Sequence, residues 1–260
     1  MKLKTLASLS WILLCSGPLA SWAAKDIPGP DRQSGYSMMS AEIQAMQDDP
    51  SLNPATFSVE DGRSIWSEKV GPHDKACAAC HGQSGKSMQG VATQFPKVMH
   101  GKLQTLEGQI NQCRISHQDL PPFEYESKEL LALTAFVATQ SKGMPIRIQL
   151  NKSNQADFDA GKLWFYQRMG QLNLSCAQCH EDRAGLKLGG SVIPQAHPTA
   201  YPIYRLEWQS LGSLERRLRN CMSGVRAKPF EYGSQEMAQL ELYLMWRARG
   251  MPLETPGVRP

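Results

Sequence analysis

Two apolar patterns recur in the chain at helical spacing. Leu106 and Ile110 stand seven and three residues before Cys113, and Leu214 and Leu218 stand at the same intervals before Cys221. That spacing puts each cysteine on the apolar face of a helix, with Thr105 and Ser213 in the N-cap position. Further on, apolar runs predict helices over 130–142 behind Ser127 and over 237–249 behind Ser234. They stop at Gly143 and Gly250, where glycine can end a helix. Helices are also predicted over 64–70 and 157–169, and a short one over 41–47 behind Ser40. Strand signal is sparse.

The two halves repeat. Pro122-Phe123-Glu124-Tyr125 answers Pro229-Phe230-Glu231-Tyr232, and Gly143-Met144-Pro145 answers Gly250-Met251-Pro252. Phe123 to Gly143 and Phe230 to Gly250 are the same 20-residue interval. Ahead of each single cysteine lies one pentad, Cys77-Ala78-Ala79-Cys80-His81 and Cys176-Ala177-Gln178-Cys179-His180. Cys-x-x-Cys-His is the attachment pattern of c-type haem. The thiols add to the vinyl groups and the histidine is delivered to one face of the iron. A disulfide or zinc reading of the cysteine pairs leaves both histidines unexplained. The expected fold is all-α, with two tandem cytochrome c-like haem domains. The divisions are a signal peptide over 1–23, an arm over 24–50, and haem domains over 51–147 and 148–260.

The apolar run through Leu6, Leu9, Trp11, Ile12, Leu13 and Leu14 follows a basic start and ends at Ser21-Trp22-Ala23, a secretory leader with cleavage expected after Ala23. Cys15 raises a lipoprotein alternative, but bulky Leu14 precedes it. No other run is long enough to span a membrane, so no anchor is expected. The 260-residue chain has a net charge of +4, of which Lys2 and Lys4 lie in the leader, leaving about +2. That is too mild for a nucleic-acid partner. Export places the protein in the periplasm, where c-type haem is attached.

His81 and His180 supply one iron ligand each, and the other face has several candidates. Met144 and Met251 match in position but suit a turn that caps the core. His117 and His197 have no counterpart in the other half. Cys113 and Cys221 share identity and register and are favoured as thiolate ligands. A Cys113–Cys221 disulfide and inert thiols are the alternatives. Four residues before Cys221 stands Arg217, on the same helix face; Gln109 holds that place before Cys113. Arg216, Arg217, Arg219, Arg226 and Lys228 surround Cys221 against the single acid Glu215. Positive surroundings favour a reactive thiolate and draw a small dianion. Arg216 and Arg219 read as a solvated face, Arg217 and Arg226 as substrate-binding.

The two pentads, the single cysteine in each half, and Arg217-x-x-x-Cys221 followed by Arg226 and Lys228-Pro229 together resemble the SoxA family over the whole mature chain. These are dihaem cytochrome c subunits of bacterial thiosulfate oxidation. The resemblance implies two covalent haem c groups held by Cys77, Cys80, Cys176 and Cys179. It implies iron ligation by His81, Cys113, His180 and Cys221. It implies an L-cysteine S-thiosulfotransferase, partnered by a monohaem SoxX-like cytochrome, that joins thiosulfate to a cysteine of the SoxYZ carrier and passes electrons to a soluble cytochrome c. Cys221 is then the catalytic residue, able to carry a persulfide, and Arg217 binds substrate. A dihaem electron carrier without bond-making chemistry and a thiosulfate dehydrogenase forming tetrathionate are the competing readings. A dihaem peroxidase fits less well, because it wants an open iron.

Overall fold

The computed structural model describes residues 26–260. The expected leader, with Cys15, lies outside the described residues. In the first half the helices are α1 (Ala41–Asp48), α2 (Ala55–Ser67) and α3 (Cys77–His81), then α4 (Leu106–Gln118) and α5 (Lys128–Thr139) after a hairpin of β1 (Lys97–Met99) and β2 (Lys102–Gln104). The second half repeats the order with α6 (Gln155–Tyr166) and α7 (Cys176–His180). A small hairpin of β3 (Lys187–Leu188) and β4 (Ser191–Val192) follows, then a hairpin of β5 (Ile203–Arg205) and β6 (Ser210–Gly212). It closes with α8 (Leu214–Gly224), α9 (Gln235–Arg247) and β7 (Gly257–Arg259).

Four of the five predicted caps form, and Ser40 precedes α1 without a side-chain capping bond. Thr105 and Ser213 accept from Gly108 N and Arg216 N, both at 3.1 Å, and Ser127 and Ser234 accept from Leu130 N and Met237 N. Each satisfies a donor that the first helical turn leaves unpaired. The expected helix over 64–70 begins earlier, at Ala55, where Pro54 supplies a preset φ. It and α6 stop short of their predicted ends because the chain turns back on itself. Val70 pairs with Lys75 and Met169 with Leu174, around Gly71 and Gly170 at positive φ. These matching turns deliver the two pentads.

The core consists of two helix crossings, α2 on α5 and α6 on α9. A Cβ at Gly62 would lie 2.0 Å from Ala132 O, and one at Gly161 would lie 1.9 Å from Gln239 O. Only glycine lets these backbones approach so closely. Phe136 and Tyr243 are fully buried beside the crossings.

The all-α expectation needs one correction: short strands join the helices. β5 pairs antiparallel with β6 and parallel with β7, with Tyr204 opposite Leu211 and Val258. Three-residue strands carry too little period-two pattern to register in sequence. The halves meet through their closing segments. Ile146 N donates to Met251 O and Leu253 N to Met144 O, both at 2.9 Å, while Gly143 N and Gly250 N donate to Leu253 O and Ile146 O. The pattern has two-fold pseudosymmetry. The shared Pro-Phe-Glu-Tyr segments also meet, with Tyr125 stacked on Tyr232 at 6.4 Å. The N-terminal arm straps onto the second half. Gln33 N donates to Gln195 Oε1 at 2.8 Å, Ser34 Oγ to Glu254 at 2.6 Å, and Val258 N to Gln47 Oε1 at 3.0 Å.

Candidate haem and thiol sites

The first site is a cavity of about 450 Å3 lined by Cys77, Cys80, His81, Cys113, Phe95 and Met99, among others. α3 presents the pentad and α4 brings Cys113 across from it. Burial pushes the Cys77 thiol up, and Cys113 is the next influence on it. Gln109 Nε2 donates to Cys113 Sγ at 3.2 Å. The indole of Trp66 sits 5.6 Å from the His81 ring, and its Nε1 donates to Gly82 O at 2.9 Å. The cavity size and its apolar lining fit a haem, with two thiols and an imidazole converging on it.

The second site is built by α7 and α8. Ser175 and Gln178 form a capping box that starts the pentad helix. His180 Nδ1 lies 2.7 Å from Pro194 O. A carbonyl only accepts, so Nδ1 carries the proton and Nε2 keeps its lone pair for a metal. Burial lowers the His180 pKa, which keeps the ring neutral. Burial also pushes Cys176 up to about 12, with Cys221 as the next contributor, as Cys113 is for Cys77. All six described cysteines are free thiols. Cys113 lines one cavity with its own pentad, and no Cys113–Cys221 disulfide forms among the described residues. The donor set of two attachment thiols, an oriented imidazole and an opposing thiol suits a c-type haem here too.

The expected methionine alternatives sit elsewhere. Met144 packs against Gly90 and, like Met251, lies in the paired segments between the halves. His117 lines the edge of the first cavity. His197 is buried, with Nδ1 2.9 Å from Gln33 O, and burial lowers its pKa to about 4.

Arg217 lies half-buried one helical turn before Cys221, as expected. Two residues that the sequence reading passed over join it. Burial pushes the Tyr201 hydroxyl up to about 12, with Arg217 and Cys221 as the next influences. Burial lowers the Arg205 pKa, and Arg217 adds to this. Arg205 Nη2 pairs with Glu207 at 2.9 Å, while its Nε is buried without a partner among the described residues. The hairpins show how these residues could have been found. Phe95-Pro96 precedes β1 as Tyr201-Pro202 precedes β5, which sets Tyr201 against Phe95 and Arg205 against Met99. With Arg217 against Gln109, three positions that line the first cavity change to groups that bear positive charge or donate a hydrogen bond. A two-residue difference in hairpin length hides this match in a gapless alignment.

Arg226 is exposed at φ +57°, in a shallow groove with Lys228, Trp164 and Phe230. Arg216 and Arg219 are not simply solvated. Their guanidinium groups stack on Trp208 at 4.2 Å and on Tyr232 at 4.4 Å.

A family model described as the SoxA/TsdA cytochrome c domain matches residues 61–146 and again 160–253. The SoxA subunit of L-cysteine S-thiosulfotransferase from Rhodovulum sulfidophilum is 34% identical over 229 residues, 87% of this chain and 80% of the relative. The chain belongs to the SoxA family. The corresponding subunit from Pseudaminobacter salicylatoxidans is also 34% identical, over 89% of this chain and 82% of its own. The crystal structure of SoxXA from P. pantotrophus superposes with a TM-score of 0.85 at 30% identity, covering 88% of this chain and 87% of that one. Like other SoxA chains this one is a cytochrome c that binds haem c in thiosulfate oxidation. No helix among its described residues is long and apolar enough to cross a membrane.

Proposed function

We propose that this chain is the catalytic dihaem subunit of a periplasmic L-cysteine S-thiosulfotransferase. In this reading it works with a SoxX-like monohaem cytochrome and joins thiosulfate to a cysteine of a SoxYZ carrier. The balanced step forms one S–S bond between the carrier thiol and the outer sulfur of thiosulfate, and releases one proton and two electrons. A soluble cytochrome c receives the electrons. Haem c groups at the two pentads supply one-electron acceptors beside the sulfur chemistry.

The observation that carries this reading is the difference between the two sites. At the three matched positions the first site has Gln109, Phe95 and Met99, whereas the second has Arg217, Tyr201 and Arg205. Lys75, Lys97 and Arg114 also line the first cavity, but the Arg114 guanidinium is engaged by the Phe123 ring and Pro121 O. The second set suits a sulfur dianion. Arg217 binds the sulfonate oxygens through its fork, with Arg205 adding positive charge and the Tyr201 hydroxyl donating. Arg226 and Lys228, on the neighbouring groove, draw the anion in. Docked so, thiosulfate presents its outer sulfur to the terminal sulfur of Cys221, free thiolate or persulfide, and the two join with loss of two electrons. Attack of the carrier thiol on that outer sulfur then moves the whole S–SO3 group to the carrier and returns the Cys221 sulfur, with the carrier's proton, to its starting state. Cys77, Cys80, Cys176 and Cys179 hold the haems, and His81 with Cys113 and His180 with Cys221 are the iron ligands.

The test is thiosulfate-dependent reduction of cytochrome c by the partnered complex, with the carrier present or omitted. Turnover that needs the carrier, and a carrier mass increased by a thiosulfonate group, supports the proposal. Equal turnover without carrier, with tetrathionate as product, overturns it in favour of a thiosulfate dehydrogenase.

A further inference from the structure

The second site has a buried ionic network behind its histidine that the first site, among the described residues, lacks. Glu181 follows His180 directly in sequence. Its carboxylate pairs with Arg247 from α9, both side chains almost wholly buried at 7% and 4% exposure. Tyr166 OH donates to the same carboxylate, 2.9 and 3.0 Å from its two oxygens. The Arg247 guanidinium stacks 4.6 Å above the Phe165 ring. Its Nη2 donates to Gln195 O at 3.3 Å. Pro194, the neighbour of Gln195, supplies the carbonyl that accepts from His180 Nδ1 at 2.7 Å. The contacts therefore close on themselves: His180 to Pro194, on to Gln195, across to Arg247, to Glu181, and back along the backbone to His180. The arm clamps the same turn, through Gln33 N to Gln195 Oε1 at 2.8 Å and Gln195 Nε2 to Asp31 O at 3.2 Å.

In the first half the matching positions are Gly82 for Glu181, Gln140 for Arg247 and Trp66 for Phe165. Trp66 caps Gly82 O there, and Gln140 Nε2 bonds back to Phe136 O. Among the described residues the His81 ring has no hydrogen bond like that of His180. Burying a charged pair is costly, and keeping one only in this half implies a task there.

The geometry points to a positioning role for Glu181 and Arg247: together they fix the 194–195 turn, and through it the orientation and donor strength of the His180 imidazole. A firm hydrogen bond from Nδ1–H to a carbonyl increases electron donation from Nε2. An iron held there is then stabilised in the ferric state, and its midpoint potential is lowered. Gln33, Asp31 and Tyr166 hold the same elements from outside and from below.

The inference rests on His180 being a haem ligand, not on the sulfur chemistry at Cys221. The test uses the partnered complex carrying Glu181→Gln with Arg247→Gln. This double variant removes both charges at once, so the net charge near the site is unchanged and a shift reports geometry. Arg247→Lys is measured alongside, because it keeps the charge but not the fork that spans Glu181 and Gln195. The readouts are haem content, the low-spin ferric EPR signals and the midpoint potential of each haem. The expected result is full haem content, a broadened or split signal and a raised potential for the haem at His180, with the haem at His81 unchanged. Whichever variant folds decides the matter. Unchanged signal and potential at His180 would overturn the positioning role, and so would equal shifts at both haems. Wild-type protein without haem at the second pentad would instead remove the reading on which the inference rests.

Discussion

Gln109 and Arg217 occupy one register, a turn before the single cysteine of each half, yet they do different things. The Gln109 amide nitrogen donates to the Cys113 sulfur, while its Oε1 is buried without a partner among the described residues. Arg217 brings a full charge to Cys221, beside a tyrosine and a second arginine. A charge-assisted hydrogen bond to an oxyanion contributes about 1.5–3 kcal/mol. Arg217→Gln is therefore expected to lower kcat/KM for thiosulfate roughly 10- to 100-fold while leaving both haem spectra in place. Steady-state kinetics of the purified complex check this, and an unchanged kcat/KM would return the chain to plain electron transfer. The reverse change, Gln109→Arg, should create no thiosulfate activity at the first site, because Phe95 and Met99 still line it.

Each helix crossing depends on one glycine. Gly62 and Gly161 lie fifteen residues ahead of Cys77 and Cys176 respectively and lie against the backbones of α5 and α9. Gly161→Ala forces α6 away from Gln239 O. It is expected to cost roughly 1–3 kcal/mol as an overpacked core does, read as a lower Tm in thermal denaturation; an unchanged Tm would mean that the crossing adjusts freely. The helices were legible in sequence because their signals are local: a Ser or Thr cap, an apolar face, a glycine stop. The pentads and the two single cysteines were legible for the same reason. The short strands were not, since their pairing comes from distant segments, with β7 joining β5 across more than fifty residues. Tyr201 and Arg205 went unnoticed with them, being placed by that hairpin rather than by α8. The packed roles of Arg216 and Glu215 were also hidden, because their partners come from other segments: Trp208 and Glu126 for Arg216, Gly233 for Glu215.

Where the halves meet, four acids gather. Glu215 is 3% exposed and accepts from Gly233 N at 2.8 Å. Burial pushes Glu215 up to about 8 and Glu107 up to about 7, and burial raises Glu126 and Glu241 as well. Arg216 and Arg219 face the cluster and oppose the shift without cancelling it. A carboxyl raised in the folded state contributes stability that is fully present below its ordinary value of 4.5 and lost as pH rises through about 8. Stability is thus expected to fall between pH 5 and pH 8.5 by several kcal/mol, about 1.4 kcal/mol for each pH unit over which the folded carboxyl holds a proton that the unfolded one has lost. That is roughly 2–4 °C in Tm per kcal/mol for a chain of this size. Glu215→Gln should flatten the profile, and a profile as steep as wild type would place the titrating group elsewhere.

At the same scale, the arm, the paired closing segments and the two crossings hold both pentads in one frame, so that the site at Cys221 is built on rigid helices. The most direct test of its role is thiosulfate-dependent cytochrome c reduction by the partnered complex with carrier protein, comparing wild type with Cys221→Ala. Haem content is confirmed first for both. Loss of turnover with both haems retained is the predicted result. Turnover at the wild-type rate in the variant would contradict Cys221 as the sulfur-carrying residue.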